Sequence, residues 1–135
     1  MKFSLMLVLS IMLALSGCGL SSDDEAVYTQ PETPVYQVLT PQQAKDMIDM
    51  DADVIILDVR TESEFREMRI PGAVLLPDSM IAEMAEDVLP DKGAVILVYC
   101  RSGLRSANAT HELIGMGYFN VFDFGGILDW PFETE

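Results

Sequence analysis

Apolar residues in this chain fall into short unbroken runs, and between the runs they recur at helical spacing. Val54-Ile55-Ile56-Leu57 and Ala94-Val95-Ile96-Leu97-Val98-Tyr99 are continuous runs of the kind that strands covered on both faces require. Tyr36-Gln37-Val38-Leu39, Val74-Leu75-Leu76 and Val121-Phe122-Asp123-Phe124 predict shorter strands, the first of them at a sheet edge. Thr40-Pro41-Gln42-Gln43 supplies an N-cap, a proline at the first helical position and a capping-box glutamine, which together open a helix running to about Met50. Thr61-Glu62-Ser63-Glu64 repeats that box ahead of a short helix near Phe65 to Met68. Asp78 is placed to cap a helix from Ser79 to about Asp87, with Met80, Ile81, Met84 and Val88 at core-facing spacing. Ala107 to Met116 forms a further helical face stopped by Gly117, and Ile127 to Pro131 a closing helical turn.

Strands alternating with helices predict an α/β fold with a mostly parallel central sheet of four to five strands and helices on both faces. Ligands of such sheets bind beyond the carboxyl ends of the strands. Internal repeats are absent from the sequence, and its 135 residues suit one domain.

The amino-terminal segment departs from this pattern. Lys2 precedes the apolar run Phe3 to Leu15, which is too short to span a bilayer comfortably and reads as a secretory signal peptide. The run ends in Leu15-Ser16-Gly17-Cys18, which resembles the lipobox of bacterial lipoproteins. That resemblance implies cleavage after Gly17, diacylglycerol and a further acyl chain such as palmitate on Cys18, and stable anchoring to a membrane. Gly19 after the cysteine, rather than Asp, resembles the outer-membrane default over the inner. Residues 1–17 are thus expected to be a leader, 18–34 a lipidated cysteine with a polar tether, and 35–135 a periplasm-facing domain.

Charge and cysteine content narrow the field. The formal net charge of −14 leaves nucleic acid without the basic face it needs. Of the eight lysines and arginines, Lys2 falls in the leader, while Arg101 and Arg105 lie together beside a cysteine. There are two cysteines, so lipid on Cys18 leaves Cys100 as the single thiol and precludes an intramolecular disulfide. His111, the only histidine, reads as a surface or packing residue, and no cluster has metal-ligand spacing.

Cys100-Arg101-Ser102-Gly103-Leu104-Arg105-Ser106 joins the run ending at Tyr99 to the helical face that begins at Ala107. Unpaired N–H groups and the positive end of a helix dipole attract anions there. Gly103 permits a positive φ through which successive N–H groups converge, and Arg101 and Arg105 add permanent cations. Such a field favours the thiolate, and with it a nucleophile. The alternative is a small hydrophobe that ends a core strand.

This loop resembles the active-site loop of the rhodanese family of sulfurtransferases. Asp58-Val59-Arg60, Glu64-Phe65 and Ile70-Pro71-Gly72-Ala73 also resemble that family, with Arg69 where histidine is usual, as do Gly125-Gly126 and Trp130 near the end. The resemblance implies that Cys100 takes sulfane sulfur from a small anionic donor such as thiosulfate and holds it as a persulfide. A thiol or cyanide acceptor then receives it. Arg101, Ser102, Gly103, Leu104, Arg105 and Ser106 are expected to bind the sulfur and the departing anion, with Arg105 and Arg101 on sulfonate oxygens. Asp58 and Arg60 read as supports that fix loops at the strand ends, and Trp130 either as an aromatic near the site or as a core anchor. Neither a cofactor nor a metal is implied. Phosphatases use Cys-x5-Arg, whereas here the arginine comes one position earlier, which favours sulfur chemistry. A rival reading is a non-catalytic binding or sulfur-carrier module, because one fold hosts several functions.

Overall fold

The computed structural model describes residues 33–135; the leader, Cys18 and nearly all of the tether lie outside the described residues. Five strands form one parallel sheet in the order β1-β5-β4-β2-β3. They are β1 Gln37–Val38, β2 Ile55–Asp58, β3 Val74–Leu75, β4 Ile96–Cys100 and β5 Val121–Gly126. The helices are α1 Pro41–Met50, α2 Glu62–Glu67, α3 Ile81–Val88 and α4 Leu104–Gly115. This is the doubly covered α/β sheet that the alternating pattern predicts.

Both capping boxes form as written. Thr40 and Thr61 each accept a bond from the backbone N–H three residues on, and Gln43 and Glu64 reach back to the cap N–H. Asp78 caps nothing with its side chain. It opens a 3₁₀ turn, Asp78–Met80, and α3 begins only at Ile81. That tighter turn shifts the phase of the helix, so Ile81 and Ala85 are buried while Met80 and Met84 are exposed, contrary to the core positions expected for the two methionines.

Alternation along the central strands divides the core. Leu57, Val59, Ile96, Val98 and Cys100 face α3 and α4, packing with Ile81, Ala85, Ala109 and Leu113. Ile56, Leu97, Tyr99 and Phe124 face the other way, packing with Ala44 of α1 and with Ile127 and Trp130 of the closing segment. Strand β4, with all five of its residues buried, lies between β5 and β2, so its carboxyl end opens at the middle of the sheet. Cys100 is that end.

Before the sheet begins, Tyr36 stacks on His111 with ring centroids 4.3 Å apart and donates its hydroxyl to Asp123 at 2.5 Å. His111 is therefore a packing residue, as its helical position suggests.

Candidate active site

Helix α4 starts three residues earlier than its apolar spacing indicates. Gly103 is its cap, at φ 107°, and Leu104, Arg105 and Ser106 already form the first turn. The sequence hides this because Leu104 is exposed and the early positions lack a clean apolar face. The first intrahelical donor is the Ala107 N–H, bonded to the Gly103 carbonyl at 3.2 Å. The amides of Leu104, Arg105 and Ser106 therefore stand at the open end of the helix, where the dipole is positive.

Cys100 sits beneath this turn with 1% of its surface exposed. Its Sγ accepts the Gly103 N–H at 3.0 Å. A non-glycine residue at φ 107° would be strained, so the glycine is what turns this N–H onto the sulfur.

The end of β5 braces the loop. The Leu128 N–H donates to the Arg101 carbonyl at 3.2 Å, and the single Ser106 hydroxyl proton is shared between the carbonyls of Gly103 and Gly125, 3.0 and 3.2 Å from its oxygen. Ser106 is thus a buried strut within the loop.

Arg105 does not stand free beside the sulfur. Its Nη1 and Nη2 donate to the two carboxylate oxygens of Glu64, each at 2.8 Å. Glu64 is held in turn by the N–H and hydroxyl of Thr61, both at 3.0 Å. Hydrogen bonds from Arg105, working against desolvation and helped by Thr61, lower the Glu64 carboxyl to about 2. In the sequence Glu64 reads as a helix cap and as part of the Glu64-Phe65 resemblance; its pairing with a residue 41 positions away leaves no local signal. Arg101 is exposed and, among the described residues, joins no ion pair.

Asp58 and Arg60 form a buried pair with an Nη2–Oδ2 distance of 2.6 Å. Arg60 also donates to the Met68 carbonyl at 2.6 Å, which ties the end of β2 to the segment after α2. Tyr99 completes the network: its hydroxyl donates to Asp58 at 2.6 Å and accepts the Ile70 N–H at 3.2 Å. Burial, with the Asp58 hydrogen bond next, raises the Tyr99 phenol well above its usual value. Tyr99 neighbours Cys100 in sequence but belongs to the opposite core cluster, so its ring and hydroxyl lie off the sulfur's face, while Arg60 extends from the network to the cleft beside the loop.

Trp130 lies in that opposite cluster too, against Phe124 and Phe132, and donates its indole N–H to the Glu133 carbonyl at 3.2 Å. Of the two readings of Trp130, core anchor is the one the packing matches. Arg69, where the family usually has histidine, forms a two-way backbone pair with Glu135 at 2.9 and 2.8 Å and an ion pair with its carboxylate at 3.0 Å. It fastens the segment at Glu135 to the end of α2.

A cleft of about 340 Å³ opens beside the loop, lined by Arg60, Glu64, Glu67, Met68, Arg101 and Leu128 among others. A narrower, more apolar one of about 180 Å³ lies on the far side, around Lys45, Ile48, Ile70 and Trp130, away from Cys100.

Comparison with known proteins agrees with this architecture. The family model described as "Rhodanese-like domain" matches residues 40–131. A sulfurtransferase of Allochromatium vinosum is 39% identical over 79 residues, covering 58% of this chain and 72% of that protein. The thiosulfate sulfurtransferase PspE of Escherichia coli is 33% identical over 73 residues, covering 54% and 70%. A solved structure described as rhodanese with anions from E. coli superposes with a TM-score of 0.57 at 29% identity, covering 61% of this chain and 96% of that one. The chain spans only 29% of a longer relative, the probable adenylyltransferase/sulfurtransferase MoeZ of Mycobacterium tuberculosis, at 32% identity over 121 residues. With a parallel five-stranded sheet, a cysteine capped by a helix-opening loop and a family match over most of its length, this chain belongs to the rhodanese-like domain family, among relatives named as sulfurtransferases.

Proposed function

We propose that this protein is a membrane-tethered, periplasm-facing sulfurtransferase that carries sulfane sulfur as a persulfide on Cys100. The observation that carries the reading is the Gly103 N–H donated to Cys100 Sγ at 3.0 Å, at the opening of α4. Donors fixed in advance around a sulfur stabilise negative charge on it, and on a second sulfur bonded to it, without reorganising during the reaction.

In the first half-reaction the Cys100 thiolate attacks the outer sulfur of thiosulfate or a similar donor. A new S–S bond forms, the old one breaks, and its electron pair departs with sulfite. In the second, a thiol or cyanide attacks the outer sulfur of the persulfide, and the electron pair of the broken S–S bond returns to Cys100. The sulfur moves without an external oxidant or reductant. The near-complete burial of Cys100 confines both steps to slender reagents.

Incubation with thiosulfate followed by mass spectrometry should find one added sulfur on the peptide that contains Cys100. Cys100→Ser should lose both this adduct and the formation of thiocyanate from cyanide. An unmodified Cys100 after incubation with a panel of donors overturns the reading in favour of a binding module.

The tether is part of the proposal, supported by Leu15-Ser16-Gly17-Cys18 at the end of the apolar run. Cys18→Ser should abolish palmitate labelling and release the domain from the membrane fraction. Labelling that persists in this variant would count against lipid on Cys18.

A further inference from the structure

Glu64 has two duties, and only one of them needs a negative charge. As the third residue of its capping box it accepts the Thr61 N–H, and for that a neutral amide suffices: Gln43 makes the same contact with Thr40 at the start of α1. The charge at position 64 is used by Arg105, whose guanidinium it engages with two parallel bonds of 2.8 Å. Fork-to-fork pairing of this kind fixes the arginine and commits two of its five N–H groups to a carboxylate that offsets its charge.

This pairing changes the charge that a donor meets. Three arginines stand at the cleft and loop. Arg60 is neutralised by Asp58, and Arg105 by Glu64. Arg101 is the third, exposed and, among the described residues, in no ion pair; Glu67 lies on the same cleft wall. A doubly charged donor that comes through this cleft therefore passes one cation outside any ion pair among the described residues, Arg101, together with the carboxylate of Glu67, where the bare sequence shows two cations flanking the cysteine.

We infer that Glu64 is a specificity-determining residue: by clamping Arg105 it withholds that cation from the donor and tunes the site toward sulfane-sulfur donors with less negative charge than a dianion. The inference rests on the sulfur-transfer reading above and names the donor class for the same cysteine. Glu64 acts through Arg105 and is a positioning residue, with no direct part in the chemistry.

Two donors of nearly the same shape separate the charges. Thiosulfate is a dianion, and methanethiosulfonate, with a methyl group in place of one charged oxygen, is a monoanion. Both pass their outer sulfur to a thiolate, releasing sulfite or methanesulfinate with the electron pair. The quantity to measure is kcat/KM for thiosulfate divided by kcat/KM for methanethiosulfonate. Glu64→Gln keeps the cap and frees Arg105, and it should raise this ratio at least about fivefold at low salt, the scale of an unmasked charge at contact distance. The rise should appear mainly in KM and shrink with added salt.

Adding Arg105→Gln to Glu64→Gln should bring the ratio back to within about twofold of the parent, because the freed cation is then gone. Glu64→Asp, too short to cap α2 and reach Arg105 together, should move the ratio in the same direction and serves if the glutamine variant folds poorly. A smaller rise, a fall, or a rise that survives removal of Arg105 overturns the inference. Failure of the underlying function looks different: the parent protein would then take no sulfur on Cys100 from either donor.

Discussion

Gly126 and Arg101 touch backbone to backbone: a Cβ on residue 126 would stand 2.2 Å from the Arg101 carbonyl oxygen, where no side-chain atom fits. The turn after β4 and the end of β5 are thus one packed unit, also joined by the Leu128 N–H at 3.2 Å. The geometry of the cysteine loop is set partly by a segment 25 residues further along the chain.

Gly126→Ala should therefore displace the loop. Overpacking against backbone costs roughly 1–3 kcal/mol, and more where neither side can yield. The variant is expected to melt several degrees lower and to load sulfur on Cys100 poorly. A melting temperature and loading equal to the parent's would show that the loop does not depend on this contact.

Tyr99→Phe removes a hydroxyl that donates to Asp58 and accepts from the Ile70 N–H, leaving two buried polar groups with one partner fewer. A loss of about 1–3 kcal/mol in urea unfolding is expected. Because Tyr99 faces away from the sulfur's side of β4, the folded variant should still form the Cys100 persulfide. Loss of the persulfide with stability intact would place Tyr99 in the chemistry.

Trp130→Phe should behave similarly. It trims a buried aromatic cluster with Phe124 and Phe132 and deletes the bond to the Glu133 carbonyl. Destabilisation on the order of 1–3 kcal/mol with sulfur loading retained is expected. A large change in the KM for donor at unchanged stability would instead place the indole at the site.

The Glu64–Arg105 pair predicts a specific acid sensitivity. The Glu64 carboxyl is lowered from 4.5 to about 2 in the folded protein, chiefly by hydrogen bonds from Arg105. A depressed folded value means the pair stabilises the fold above about pH 4.5 and that this contribution disappears as pH falls toward 2. Urea midpoints measured across that window should fall less steeply for Glu64→Gln than for the parent. Parallel curves would show that the pair is too solvent-screened to matter.

Local information in the sequence was enough for much of this protein. Unbroken apolar runs marked β2 and β4, Thr-x-x-Gln and Thr-x-x-Glu marked the starts of α1 and α2, and Cys100 was placed at a strand's carboxyl end before a helix. These features depend on spacing within a few residues, or on covering both faces of a strand, and a single chain displays them directly. Where α4 and α3 begin was less legible, because Gly103 as a left-handed cap and the 3₁₀ turn at Asp78 alter helix phase without altering composition.

Residue order alone determined the parallel α/β class, the position of the cysteine and the identity of the residues in its loop. Tertiary structure decided which charges are available there. Arg105 reads as a free cation until α2 brings Glu64 against it, and Trp130 remains ambiguous until the closing segment folds onto the face of the sheet opposite Cys100. The physical reason is the same in both cases. Neutralising a charge or assigning a side chain to one face takes a partner distant in sequence, and that partner's position follows only from packing the helices onto the sheet.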